Sequence, residues 1–369
     1  MFHTRPVKKY LVTLARLCAR SCALLYLIAI AGCDLGPNNR ERGLQEQVLH
    51  VGNGTEPQDL DPHTVTGVPE HNIISALLEG LVAEHPETLA PQPGIAASWQ
   101  IDQEGKRYTF TLRDTARWSN GDKVTAHDFV WSWQRLLTPA LGAEYAYQLY
   151  PIVNARRFHR GDITQFEQVG VAALDEKTLQ VTLENPVPYF LSLLAHYSTF
   201  AVHPPTILAH GTIGERGTRW TRAGNYVGNG PFVLAHWRLN HLISVNKNRL
   251  YWDASTVRLN GIRFYPVSNV TTEERMFRTG ALHLSNSIPV DKIARYRREQ
   301  AAELQMAPYL GTYFYRLNTT RAPLNDQRVR RALSLSIDRA ILVEKITQGG
   351  QLPAYALTPP DTQGYYPPD

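Results

Sequence analysis

Tyr108-Thr-Phe-Thr-Leu112, Ser119-Asn-Gly-Asp122 and Thr125-Ala-His-Asp-Phe-Val-Trp-Ser-Trp-Gln-Arg135 follow one another closely and decide the fold class. The first alternates apolar and polar side chains, the period of a half-buried strand. The second is a tight turn built around Asn-Gly. In the third, Thr125 is an N-cap candidate ahead of Phe129, Val130, Trp133 and Leu136 at helical spacing. Outward from this block the pattern stays mixed. Residues 47–52 and 179–183 alternate as strands, Asp59-Leu-Asp-Pro62 is a turn, and a helix begins at Pro69 with Ile73, Ile74, Leu77, Leu78 and Leu81 on one stripe. Residues 188–195 read as a short apolar helix. Further strands are expected near 243–245, 262–265, 282–284, 305–309 and 312–317, and helices at 272–279, 289–300, 326–335 and 338–347. There is no fixed repeat period. The fold class is therefore α/β with mixed sheets.

The chain has 369 residues, 43% hydrophobic and 19% charged, ordinary for a globular protein of two or three domains. The net charge of +5 is misleading. Residues 1–32 hold five of the 38 Lys and Arg and no Asp or Glu, so the remaining 33 basic residues balance the 33 acidic ones. A nucleic-acid binder needs a basic surface to displace phosphate counterions, and this chain lacks that surplus. The basic stretch is followed by an apolar run from Cys22 to Ala31, too short to span a bilayer and suited to a secretory signal peptide.

That run ends in Ile30-Ala31-Gly32-Cys33, which looks like a bacterial lipobox, with Cys33 as the lipidation site; the competing reading is a small-residue cleavage site before a cysteine. The other cysteines, Cys18 and Cys22, lie inside the leader, so Cys33 would have no disulfide partner once it is removed. Two or three acyl chains would anchor the protein stably to a membrane. Residues 33–46 are polar and rich in breakers, and read as a flexible tether.

Several blocks carry a resemblance. Leu60-Asp-Pro-His-Thr-Val-Thr-Gly-Val-Pro-Glu70, Gly94-Ile-Ala-Ala-Ser-Trp99, Arg117-Trp-Ser-Asn-Gly-Asp122 and the 125–135 helix come in order. They are followed by Asn185-Pro-Val-Pro-Tyr-Phe190, Tyr251-Trp-Asp253, Pro308-Tyr-Leu-Gly-Thr-Tyr-Phe-Tyr315, Leu324-Asn-Asp-Gln-Arg-Val-Arg-Arg-Ala-Leu333 and Leu352-Pro-Ala-Tyr-Ala-Leu-Thr-Pro-Pro360. Together they resemble the family 5 extracellular solute-binding proteins, which include the oligopeptide-binding components of ABC importers. The resemblance implies a periplasmic-binding-protein-like fold of the class II type with several lobes. Lobe I would comprise residues 47–78 and 205–310, lobe II the insertion 79–204, and lobe III would start at 311. A complete third lobe would run well beyond Asp369, so the chain is read as a fragment, an interrupted frame or a short form, with an exposed edge that favours aggregation.

The function implied is capture of oligopeptides outside the cytoplasm, in the periplasm or on the outer face of the cytoplasmic membrane, and delivery to an ABC permease by a lipid-anchored monomer. An extended peptide offers an unpaired N–H and C=O at every residue, which strand-like main chain can satisfy whatever the side chains. By resemblance, Thr66-Gly-Val68 and Tyr309-Leu-Gly311 line the peptide backbone, Tyr145 and Phe314 face pockets, and Asn286 hydrogen-bonds the ligand. Core packing for Tyr309 and Phe314, surface packing for Tyr145 and a plain turn for Asn286 are the competing readings. Family members often carry Glu at the positions of Thr66 and Arg316 and Lys at that of Thr347, so a different ligand preference is expected here, such as a murein peptide or one with an acidic group. Alternatives are a nickel chelate or haem ligand, a non-transport role in sensing or adhesion, or an inactive truncated remnant.

No Gly-x-Ser-x-Gly, His-Glu-x-x-His or Gly-rich phosphate loop occurs. The thirteen histidines are scattered, and His196 with His203, or His236 with His241, lack the i,i+4 spacing of a helical metal site. No catalytic residue, metal or cofactor is expected, and the chain reads as a binding protein rather than an enzyme. Trp99, Trp118, Trp131 and Trp133 read as core.

Overall fold

The computed structural model describes residues 36–299, 302–307, 309–360, 362 and 365. The expected signal peptide and Cys33 lie outside the described residues. Among the described residues, ten strands are present: β1 Val48–Gly52, β2 Val82–Glu84, β3 Pro91–Pro93, β4 Ala96–Ile101, β5 Arg107–Leu112, β6 Val171–Ala173, β7 Thr178–Thr182, β8 Phe232–Arg238, β9 Leu242–Lys247 and β10 Gly261–Tyr265. They form a four-stranded sheet ordered β1-β10-β9-β8, a second ordered β4-β5-β7-β6, and the small pair β2-β3. The first sheet is mixed: β1 runs parallel to β10, whereas β10, β9 and β8 are antiparallel.

The described chain divides into two compact units. One runs to Pro266 and includes Met276–Leu284; the other is Val267–Arg275 with the chain from Ser285 onward. Both four-stranded sheets lie in the first unit.

Residues 108–135 fold as their sequence pattern requires. In β5, Tyr108, Phe110 and Leu112 are buried while Thr109 and Thr111 point the other way. Phe110 pairs with Leu179 of β7 and Trp99 of β4, giving one apolar face. The helix Ala126–Leu137 brings Phe129, Trp133, Leu136 and Leu137 into the core. Its start is a reciprocal capping box: Thr125 accepts from the Asp128 backbone N–H at 3.3 Å, and Asp128 accepts from Thr125 N at 2.8 Å. Trp118 and Trp133 are fully buried with their indole N–H groups on Asp128 and Thr199 O, and Trp99 and Trp131 pack partly buried on the same core.

Part of the expected tether is ordered. Asn39–Glu46 is a helix with its own capping box between Asn38 and Glu41. The Asn-x-x-Glu spacing was readable, but the helix is held by tertiary contacts. Arg40 N donates to Gly280 O at 2.8 Å, and Gly43 sits against Val48 O and the His283 ring, where a β-carbon would collide.

In the second unit, helices occupy Val290–Glu299 and Gln327–Leu335. The helix expected over 338–347 begins with Asp338 accepting from Ile341 N at 2.9 Å, runs as Arg339–Ile341 and continues in π-helical form as Leu342–Thr347. The strands expected at 305–309 and 312–317 do not form. The described residues there carry no regular structure, and Tyr309, Tyr313 and Tyr315 are exposed. An apolar alternating segment becomes a strand only when another strand takes its backbone groups, and among the described residues none does. The strand expected at 282–284 reduces to one bridge, Leu284 with Val51.

Candidate functional site

The site in the first unit is built on a short irregular loop between β1 and the helix Val68–Leu77. Asp61, in the turn Asp59-Leu-Asp-Pro62, is 1% exposed, and Arg135 from the helix Ala126–Leu137 is wholly buried. The guanidinium meets the carboxylate in a two-pronged pair, Nη1 to Oδ1 at 2.9 Å and Nη2 to Oδ2 at 2.6 Å. His63 completes the cluster. Its Nδ1 accepts from Arg135 Nη1 at 2.9 Å and its Nε2 donates to Phe200 O at 3.1 Å, which fixes a neutral tautomer. Burial, followed by the Arg135 charge, pushes the His63 imidazole down to about 4. Burial opposes ionisation of Asp61, but the charge and hydrogen bonds of Arg135 outweigh it and hold the carboxylate below its usual range.

This cluster fixes the segment immediately before Thr66-Gly67-Val68. Tyr197 Oη donates to Val65 O at 3.0 Å and Tyr145 Oη to Thr66 O at 3.4 Å. Arg216 Nη2 donates to Thr64 O at 3.2 Å. Gly67 precedes the helix with extended backbone, and the Glu70 carboxylate occupies the space a β-carbon would need. Glu70 is itself held by the Gln58 backbone N–H at 2.8 Å. The result is an exposed, extended segment on a rigid base: Thr66 and Val68 face solvent, and among the described residues the backbone N–H groups of Thr66 and Gly67 have no acceptor. Such groups can pair with an extended ligand backbone.

Beside the segment lies an aromatic cluster. The Tyr145 ring meets those of His196 and Tyr197 edge-on at 4.8 and 6.1 Å, and His71 lies 5.2 Å from Tyr197. Ser198 N donates to His196 Nδ1 at 3.3 Å, and burial, followed by the neighbouring His71, pushes His196 down to about 4.

Of the residues singled out in the sequence, the first unit brings together Thr66, Val68 and Tyr145. The second unit holds Asn286, Tyr309, Gly311, Phe314, Arg316 and Thr347. Asn286 is exposed, with its backbone N–H on Glu273 Oε1 at 2.5 Å. Tyr309 is 84% exposed and Phe314 52%, so neither has the core role that was the competing reading. Gly311 N donates back to Tyr309 O at 2.9 Å, and Arg316 is exposed. Thr347 Oγ1 bonds Gln351 Oε1 at 2.9 Å beside an open hollow of about 350 Å³ lined by Arg297, Val343 and Gln348. The sequence reading missed Asp61, His63, Arg135, Glu70 and Glu273. Arginine and glutamate read as surface from sequence, and only a buried partner marks them otherwise.

Among the described residues, no helix is long and apolar enough to cross a membrane. The family description "Bacterial extracellular solute-binding proteins, family 5 Middle" matches residues 90–369. The chain is 40% identical over 322 residues to the periplasmic oligopeptide-binding protein OppA of Salmonella typhimurium, covering 86% of this chain and 58% of that protein. The structure of the Escherichia coli murein tripeptide binding protein MppA superposes with a TM-score of 0.83 at 35% identity, over 87% of this chain and 62% of that one. Haemophilus influenzae OppA in complex with RPPGFSPFR gives 0.80 at 39% identity, over 85% and 60%. The chain thus spans about three fifths of the length of these relatives. Its fold is the class II periplasmic-binding type, mixed α/β with several sheets, and the chain belongs to the bacterial extracellular solute-binding proteins of family 5.

Proposed function

We propose that this protein is the substrate-binding component of an ABC importer, capturing oligopeptides outside the cytoplasm and delivering them to a membrane permease. The observation that carries this reading is the exposed Thr66-Gly67-Val68 main chain, whose Thr66 and Gly67 N–H groups have no acceptor among the described residues, held rigid from beneath by the Asp61–Arg135–His63 cluster. A ligand bound through its amide backbone needs donors fixed in advance, because ordering them at the moment of binding would cost affinity. Relatives named for oligopeptides and for a murein tripeptide support the same ligand class.

Lobe I, drawn from residues 47–78 and 205–310, and lobe III, from 311 on, grip the peptide, with Tyr145, Asn286, Tyr309, Gly311, Phe314, Arg316 and Thr347 contributing side-chain or backbone contacts; lobe II is the insertion 79–204. Ligand affinity biases an open–closed equilibrium, and the closed form docks on the permease. The peptide is bound and not chemically altered. Cys33 carries the lipid anchor that keeps the monomer on the periplasmic face of the membrane. Thr66 and Arg316, where relatives often carry Glu, favour a murein-type or otherwise acidic peptide over a basic one, because a guanidinium in place of a carboxylate reverses the local charge.

Calorimetric titration of the protein with tri-alanine, a lysine-rich tripeptide and a murein tripeptide tests the reading. Saturable one-to-one binding, tightest for the murein or acidic ligand, is expected. Equal affinity across the panel would remove the charge preference, and no binding of any peptide would overturn the function.

A further inference from the structure

Residues 285–287 form a short bend, exposed at Asn286 and Ser287, whose backbone is held by a carboxylate that solvent scarcely reaches. Glu273 is 1% exposed. Its Oε1 accepts the Asn286 backbone N–H at 2.5 Å and lies 3.3 Å from the Ser285 hydroxyl. The Ser285 proton has a nearer acceptor in Ser287 O at 2.7 Å, so the bond to Asn286 N–H is the main tie between Glu273 and the turn. Glu273 is itself anchored: its backbone N–H donates to Asn269 O at 3.0 Å, and Thr272 N donates to Asn269 Oδ1 at 2.9 Å. The adjacent Glu274 is engaged elsewhere, with Lys292 and with Tyr296 Oη at 3.0 Å.

Burying a carboxylate under a turn is costly unless the hydrogen bonds it makes are needed. A turn of Ser-Asn-Ser could close without it, as the Ser285–Ser287 bond shows. What Glu273 adds is a fixed backbone at Asn286, whose side chain is exposed. A carboxamide offers one acceptor and two donors, the complement of a peptide group.

We propose that Glu273 is a positioning residue for ligand capture: by holding the Asn286 N–H it presents the Asn286 carboxamide to the peptide backbone in one orientation. The inference rests on the peptide-binding reading above. It assigns to Glu273 no contact with the ligand itself.

Four variants test it: N286A, E273A, E273Q and the double E273A/N286A. Each alanine variant should weaken tripeptide binding by roughly tenfold, the size of one hydrogen bond. E273Q keeps an acceptor at the same place and should bind like the parent. The double variant should be no weaker than N286A alone, because the two residues act through one contact. In the unliganded protein, amide exchange at Asn286 should speed up in E273A and not in E273Q. Should E273A fail to fold, Glu273→Met fills the volume without an acceptor and takes its place. A double variant weaker by the product of the two single effects would overturn the proposal, as would unchanged Asn286 exchange in E273A. If the parent protein takes no peptide at all, the exchange measurement still decides the role of Glu273, and the peptide reading alone fails.

Discussion

Asp61, His63 and Arg135 illustrate how one buried charge obliges the next. A two-pronged ion pair at 0–1% exposure gains strong attraction but loses the hydration of both ions. Removing one partner strands the other, so Asp61→Asn or Arg135→Ala should cost about 3–5 kcal/mol, read by denaturant unfolding. The Arg135 Nε finds no acceptor among the described residues, so the cluster is imperfect already. An apolar pair of similar volume at 61 and 135 should recover most of that loss while loosening Thr66-Gly67-Val68. The pH dependence has a definite sign. His63 is pushed to about 4 in the folded chain from an ordinary 6.5, so the unfolded state binds the extra proton. Its contribution is complete above about pH 6.5 and is lost as pH falls toward 4, and the lowered Asp61 acts in the same direction. A melting temperature that did not fall between pH 6.5 and 4 would refute this. The two tyrosines differ in weight. Tyr197 donates at 3.0 Å from a buried ring and Tyr145 at 3.4 Å from a half-buried one. Tyr197→Phe should therefore cost about 1 kcal/mol and Tyr145→Phe less, because an unsatisfied buried carbonyl is the larger penalty.

At the scale of elements, local signals were legible where the element stabilises itself. The helix Ala126–Leu137 has cap, apolar stripe and first-turn acid in its own sequence. Thr125→Ala should destabilise the first unit by about 1 kcal/mol, and Asp128→Ala by a similar amount, since each supplies half of the capping box. Thermal melts of the two variants and their double would show the coupling. The helix Asn39–Glu46 carries a capping box in Asn38 and Glu41, but eight residues with a single large apolar side chain, Leu44, make a marginal helix alone, and tertiary contacts with Gly280, His283, Ala281, Asn260 and Val48 hold it. Gly43→Ala should detach it, seen as faster amide exchange over those residues. The tyrosine-rich stretch from 309 to 315 carries strand periodicity, but periodicity does not provide a neighbour, and the segment stays exposed.

Over the whole molecule, order follows burial. The first unit holds the two four-stranded sheets and the core around Trp118, Trp133 and Trp220, and should resist proteolysis. Described residues 309–317 in the second unit lack regular structure and should be cut first. Limited trypsin digestion followed by mass spectrometry would show this through early cleavage after Arg316 and late cleavage after Arg107 and Arg135; the reverse order would refute it. Metabolic labelling with a radioactive fatty acid checks the anchor: label should enter the parent protein and be absent from Cys33→Ala. By itself the sequence determined the α/β class, most element positions in the first unit, the Trp core and the family, because side-chain periodicity, turn chemistry and colinear motifs are local properties of the chain. Only the tertiary structure decided which polar residues were buried and against what. Asp61 finds Arg135 across 74 positions and Tyr197 reaches Val65 across 132. Such pairings depend on how the sheets and helices bring distant segments into contact, and no local pattern encodes that distance.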